Sequence, residues 1–253
     1  MTACPIRSPR WSKPAFAAPG DRLSVAVDAL RTATAFYLAA GGRRVKLDVR
    51  EVEPVPKAGV VLYHVELPVD AEEGLADLVL DENGVSFTMP RAVAIHASPP
   101  ARVRVVYTSD WHLLKVSKAG PPVDQSELFV QLAHHLNELA PDVVIHTGDV
   151  ITRYHAGGAP LPEAEIRRQM AQGKAIFDLF RVPVFVLPGN HDVAYEWCRR
   201  AWWETVGRPW KGPTDDASRV LGPCHLLLVD GFAHYDPETY NVTARSMTVE
   251  KLA

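Results

Sequence analysis

The sequence predicts a two-domain protein: an all-β sandwich over residues 1–98, then a layered α/β domain, incomplete, over 102–253. Three observations predict it. Apolar and polar residues alternate with period 2 through the stretch from 21 to 97. Ser98-Pro99-Pro100-Ala101 then interrupts the pattern with two prolines, which cannot continue a ladder and stiffen the connection. Beyond 102, apolar strands alternate with amphipathic helices, the grammar of a layered α/β domain.

In the first part, Leu23, Val25 and Val27 alternate with polar or small neighbours, and Val45, Leu47 and Val49 alternate with charged ones. Val61, Tyr63, Val65 and Leu67 form a third run, followed by Leu78 with Leu80, Val85 with Phe87, and Val93 with Ile95. Turn residues separate them at Pro19-Gly20-Asp21, Gly41-Gly42, Lys57-Ala58-Gly59 and Asp81-Glu82-Asn83-Gly84. Six or seven strands with polar outer faces fit an antiparallel sandwich. In the second part, strands are expected at Val103 to Tyr107, Asp142 to Thr147, Val182 to Leu187 and His225 to Asp230. Helices are expected at Asp124 to Leu139, with Leu128, Leu132, Leu136 and Leu139 on one face, at Glu163 to Phe180 and at Tyr195 to Val206.

Composition narrows the function. With 47% hydrophobic residues the chain has material for a core, so disorder is excluded as its main state. A net charge of -3 argues against a nucleic-acid scaffold, which needs a basic excess or stripe. No apolar run is long enough to span a bilayer. Cys4, Cys198 and Cys224 are neither paired nor close, so a disulfide framework or a cysteine zinc site is not expected. This favours a reducing compartment. The start has basic residues but no apolar core of a signal peptide. The expected location is cytoplasmic, with secretion the alternative for a start lying upstream.

Three polar motifs follow three of the expected strands: TSDWH with Asp110 and His112, HTGDVITR with Gly148 and Asp149, and PGNHD with Gly189, Asn190, His191 and Asp192. In open α/β sheets, chemistry collects beyond the carboxyl ends of the strands. Oxygen and imidazole donors delivered there are what a two-metal hydrolase needs, and one carboxylate can bridge two cations about 3.5–4 Å apart. Asp149 is the bridging candidate, and Asp110 with His112 would hold a first cation. Asn190 would offer a neutral oxygen to a second and leave it electron-poor. His191 is the candidate to protonate a leaving oxygen, with Asp192 orienting its imidazole. Asp, His and Asn donors suit manganese, iron and zinc alike.

DWH, GDVITR and GNHD, in this order and at spacings of 39 and 41 residues from Asp110 to Asp149 to Asn190, resemble the calcineurin-like metallophosphoesterase superfamily. The resemblance covers about 102–253. It implies a layered α/β core, a dinuclear centre of two divalent ions (Mn, Fe or Zn), a bridging hydroxide and hydrolysis of phosphomonoesters or phosphodiesters. Asp110, His112, Asp149 and Asn190 match metal ligands, and His191 matches the substrate-facing histidine. The implied partner is a small phosphoester, with oligomeric state left open. The first domain is similar in position to the fibronectin/Ig-like module of some members. The family's later GH or HH and GHxH motifs have no counterpart here. His225 lies at a strand start, and His234 falls where the family has a variable loop. The resemblance therefore implies a chain truncated at its C-terminus, and it leaves open a non-enzymatic binding protein with an incomplete metal site.

Other residues have two readings each. Arg153 can bind substrate phosphate through its planar fork or sit in solvent. His146 is expected to pack away from Asp149, and His134 and His135 to be solvated on a helix. His155 can line a pocket wall. Trp202, Trp203 and Trp210 are expected to pack in the core rather than stack on substrate. Lys115 and Lys118 can steer anions but are expected to be merely solvated.

Overall fold

The computed structural model describes residues 4–117, 120–207 and 216–232. Its contacts divide the chain into two units, which change over between Arg104 and Val105.

The first unit is built on strands β1 (Ile6–Ser8), β2 (Ala15–Ala17), β3 (Arg22–Asp28), β4 (Ala35–Ala40), β5 (Arg43–Val55), β6 (Val60–Glu66), β7 (Gly74–Glu82) and β8 (Val85–Ile95). They form a single eight-stranded sheet in the order β1-β3-β6-β5-β4-β7-β8-β2, not two separate ladders. The long β5 explains this. Its first residues pair with β4, and from Asp48 onward it pairs with β6, with a register shift between Val49 and Glu51. One strand thus serves both halves, and the sheet curls about it. The N-terminal segment supplies both edges: β1 runs antiparallel to β3, and β2 parallel to β8.

Alternation predicts the buried face well where a strand has one wet side. Leu23, Val25 and Val27 are buried, as are Leu78 and Leu80. It fails on β5, where Leu47 is buried but Val49 and Val52 are exposed. The expected separate strands at Val85 and Val93 are one strand, β8, with a register shift opposite Ala76 to Leu78 that lets it continue. The Asn83-Gly84 turn joins β7 to β8 with positive φ at both residues, the twist a tight hairpin needs.

The second unit contains β9 (Val105–Thr108), a hairpin of β10 (Leu114–Ser117) and β11 (Gly120–Asp124), then α1 (Ser126–Leu139), β12 (Val143–His146), α2 (Glu163–Phe177), β13 (Val184–Val186), α3 (Asn190–Val193) and α4 (Glu196–Val206). Strands β13, β12 and β9 form a parallel sheet with β12 at its centre. Val143, Val144 and all of β13 are buried, as a sheet covered on both faces requires. Helix α1 uses a different face from the one expected: Ala133 and Leu136 are buried, whereas Leu128 and Leu139 are exposed. His134 and His135 are exposed, as expected of a solvated face.

The expected fourth sheet strand at His225 to Asp230 is a correction. Cys224–Leu228 (β15) pairs with Ala217–Leu221 (β14) in a hairpin of its own. Most of this hairpin belongs to the first unit, where Arg219 donates to the backbone oxygens of Pro14 and Lys13. The three cysteines are free. Among the described residues no helix is long and apolar enough to cross a membrane. His234, Trp210 and Lys118 lie outside the described residues.

Candidate metal centre

The three motifs sit on three turns at the carboxyl ends of β9, β12 and β13. The turns are tied to one another through the backbone. Asp110 N donates to Gly148 O (3.0 Å), His112 N to Asp149 O (2.9 Å) and Leu113 N to Val150 O (3.0 Å). The middle and third turns touch so closely that only glycine fits at the contact. A Cβ on Gly148 would lie 1.9 Å from Gly189 N, and one on Gly189 would lie 2.2 Å from Asp149 Oδ1.

The first turn is anchored by Trp111. Its ring is 1% exposed and stacks on Phe129 (4.9 Å) and Phe177 (4.6 Å). Burying the central residue of Asp110-Trp111-His112 leaves both neighbours turned the other way. Asp110, His112 and Asp149 all hold positive φ, at 55°, 42° and 56°. Non-glycine residues in this region are uncommon and carry strain, and here three of them are the expected ligands.

The donors converge. Ligand atoms of His112, Asp149 and His191 all lie within 4.8 Å of one another. His112 Nε2 is 3.6 Å from Asp110 Oδ1 and 3.9 Å from Asp149 Oδ2. The His112 Nδ1 lies 3.2 Å from Ile151 O. A carbonyl only accepts, so Nδ1 carries the proton and Nε2 turns its lone pair to the two carboxylates. This is the arrangement of a metal-binding histidine whose far nitrogen is held by a backbone oxygen. Burial and the neighbouring Asp110 charge push the Asp149 carboxyl up, although the His191 N–H (2.7 Å to Oδ1) and His112 oppose them. Lone pairs and like charges gathered this way fit a divalent cation.

Asn190 opens α3. Its backbone oxygen accepts from Arg153 Nη1 at 3.4 Å, and among the described residues its carboxamide has no hydrogen bond. His191 differs from its expected place in one respect: it joins His112 and Asp149 in the group able to hold a metal. Its Nδ1 accepts the Arg153 backbone N–H at 3.3 Å. Burial, with His112 and Arg153 adding to it, brings its pKa down to about 4. The ring is therefore neutral at pH 7, with its proton on Nε2.

Asp192 does not orient His191. It is fully buried, and its oxygens accept the backbone N–H groups of Asp149 (2.7 Å), Gly189 (2.9 Å) and Ile151 (3.2 Å). The carboxylate fastens the middle turn to the third. Gln169 does similar work on α2: it accepts from Thr152 N (2.8 Å) and donates to Thr152 O (3.1 Å).

Arg153 follows directly. Its guanidinium lies 4.4 Å from the Tyr154 ring and 5.8 Å from Tyr195, at the rim of the centre. His146 is a packed residue, 0% exposed, against Trp111 and Phe177, with Nδ1 3.0 Å from Thr108 Oγ1. Trp202 is core, at 1% exposed, as expected. His155 and Lys115 are exposed.

Sequence reasoning missed the closeness of His191 to His112 and Asp149 and the structural task of Asp192. Its one usable signal was the unbroken Gly-Asn-His-Asp run, in which consecutive residues must face different ways.

Among solved structures, the chain is similar to amylomaltase from Corynebacterium glutamicum, with 15% identity over 68% of this chain and 29% of that one and a TM-score of 0.27. It is also similar to SGBP-B of the Bacteroides ovatus mixed-linkage glucan utilization locus, with 16% identity, 38% and 23% coverage and a TM-score of 0.26. The chain thus spans under a third of either protein, and scores this low bear on neither fold nor function. No curated protein matches the sequence. The model of the calcineurin-like phosphoesterase family matches residues 103–248, which include every turn of the centre. The chain therefore belongs to the calcineurin-like phosphoesterase family.

Proposed function

We propose that the protein hydrolyses a small phosphomonoester or phosphodiester with two divalent cations, Mn, Fe or Zn, held by Asp110, His112, Asp149 and Asn190. The observation that carries this reading is the convergence of His112, Asp149 and His191 within 4.8 Å, with Asp110 beside them. Bound cations would supply Lewis acidity and a nucleophile derived from water. Asp149 would be central among the residues that hold them, with Oδ2 facing the His112 ring and Oδ1 fixed by the His191 amide.

The chain's own groups do the rest. Arg153 presents a planar fork to phosphoryl oxygens and is oriented by Tyr154 and by the Asn190 carbonyl. A neutral His191 donates a hydrogen bond from Nε2 to an oxygen on which charge develops, stabilising it rather than transferring a proton outright. Asp192 acts by keeping the Asp149 and Asn190 turns together.

The test is hydrolysis of p-nitrophenyl phosphate and bis-p-nitrophenyl phosphate by manganese-loaded protein, with Asp149→Ala as control. Metal-dependent turnover abolished by Asp149→Ala supports the reading. Turnover that survives the substitution would sink it. A second reading, an anion-binding protein with one cation, is favoured by the described His and Asp donors meeting at a single point. Native mass spectrometry separates the two by counting bound ions.

A further inference from the structure

Among the candidate ligands Asp110 is the one exposed side chain, at 64%. Packing therefore does little to set the angle of its carboxylate. Hydrogen bonds can set it instead. Ser109 Oγ donates to Asp110 Oδ2 at 2.5 Å. Thr147 Oγ1 donates to Ser109 Oγ at 3.1 Å. The Tyr107 hydroxyl lies 2.7 Å from Thr147 Oγ1.

The direction of this chain follows from proton counting. A hydroxyl has one proton, and an ionised carboxylate only accepts. Ser109 gives its proton to Asp110 and Thr147 gives its own to Ser109. Tyr107 must then donate to Thr147. Three hydroxyls end on one carboxylate oxygen. Strand register brings them together. β9 and β12 run parallel with Tyr107 beside Ile145 and Thr108 beside His146, and Thr147 N bonds Thr108 O at 3.1 Å. Alternation puts Tyr107 and Ser109 on one face, whereas Thr108 turns to the buried His146 on the other.

We propose that Tyr107, Thr147 and Ser109 are positioning residues that make Asp110 a one-oxygen metal ligand: Oδ2 is held by Ser109, and Oδ1 is left facing His112 Nε2. The inference rests on the metal-site reading above. Partners of a ligating carboxylate fix its orientation and tune the affinity of the metal. Hydroxyls in series polarise one another, so the far Tyr107 acts through Ser109.

The experiment measures manganese affinity of the full chain by titration calorimetry, with the electron paramagnetic resonance of bound manganese as a second readout. Ser109→Ala is expected to weaken binding about 10- to 100-fold. Ser109→Thr, which keeps the hydroxyl, is expected to retain wild-type affinity. Tyr107→Phe should weaken binding by a smaller factor, and by none when Ser109 is already alanine. Wild-type affinity in Ser109→Ala overturns the proposal, even if its metal-free melting temperature falls. So does an equal effect of Tyr107→Phe in both backgrounds. Failure of the wild-type chain to bind manganese overturns the metal reading and this inference together, whereas the first two results overturn this inference alone.

Discussion

A buried carboxyl oxygen of Asp192 lies 2.7 Å from the backbone nitrogen of Asp149, a residue 43 positions earlier. With its bonds to Gly189 and Ile151 it joins two strand-end turns through three N–H groups. Burial and the Asp149 charge push its pKa up to about 8, and those N–H groups pull the other way. Asp192→Asn places an NH2 group against at least one N–H donor. An unmatched buried donor costs about 1–3 kcal/mol. Denaturant unfolding is expected to show a loss of that size, and manganese affinity should fall as the turns loosen. Unchanged stability would refute this role for Asp192.

Gly189→Ala tests the contact between the same turns by sterics alone. The φ of Gly189 is -98°, which alanine adopts freely, so backbone strain does not enter. The new methyl would meet Asp149 Oδ1 at 2.2 Å and Asp149 N at 2.3 Å. Overpacking of this kind costs about 1–3 kcal/mol. Because the displaced group is the central ligand, manganese binding should be lost at a pH and temperature where circular dichroism still reports a folded chain.

Trp111 separates packing from ligation in the first motif. Trp111→Ala removes a ring stacked on Phe129 and Phe177 and should cost about 3–5 kcal/mol. Trp111→Phe keeps an aromatic wedge and should lose less. If the ring is what turns Asp110 and His112 outward, manganese affinity will follow the same order: wild type, then Phe, then Ala. Equal affinity in all three would leave Trp111 a core residue and nothing more.

These residues also mark what the sequence made legible. Asp110, His112, Asp149 and Asn190 stand out as candidates because each sits within two residues of a glycine or aromatic that shapes its turn, just after an apolar strand. The Ser109–Thr147–Tyr107 chain does not, since it depends on the register of β9 against β12, which no local pattern encodes. Asp192 was misread because its partners are backbone amides, and these leave no trace in residue type. In the first unit, Ala35–Ala40 carries little alternation, so β4 went unseen, and the β5 run that alternates most cleanly is mostly exposed. The apolar run at Leu226 to Leu228 reads as a buried sheet strand but forms a hairpin in which Leu227 is 67% exposed. Apolar content alone cannot choose between those two pairings.

His146 should impose a pH dependence on stability. It has no exposed surface, and burial brings its pKa down from 6.5 to about 3, with Asp110 and Thr108 opposing the shift only in part. In the unfolded chain the ring takes up a proton near pH 6.5, whereas in the folded chain it stays neutral until about pH 3. Between those limits the unfolded state binds more protons, so stability falls as the pH falls. The contribution is fully present above pH 6.5, and one proton gives a slope of about 1.4 kcal/mol per pH unit. Urea midpoints measured from pH 7.5 down to pH 4.5 in metal-free protein will contain this slope. They will also contain the opposite slope of Asp192, whose raised pKa favours folding at lower pH. His146→Leu isolates the histidine, because the difference between the two proteins cancels every other group. The variant should gain stability relative to wild type as the pH drops below 6.5. A difference that stays constant across the range would mean that His146 takes up its proton without unfolding the sheet around it.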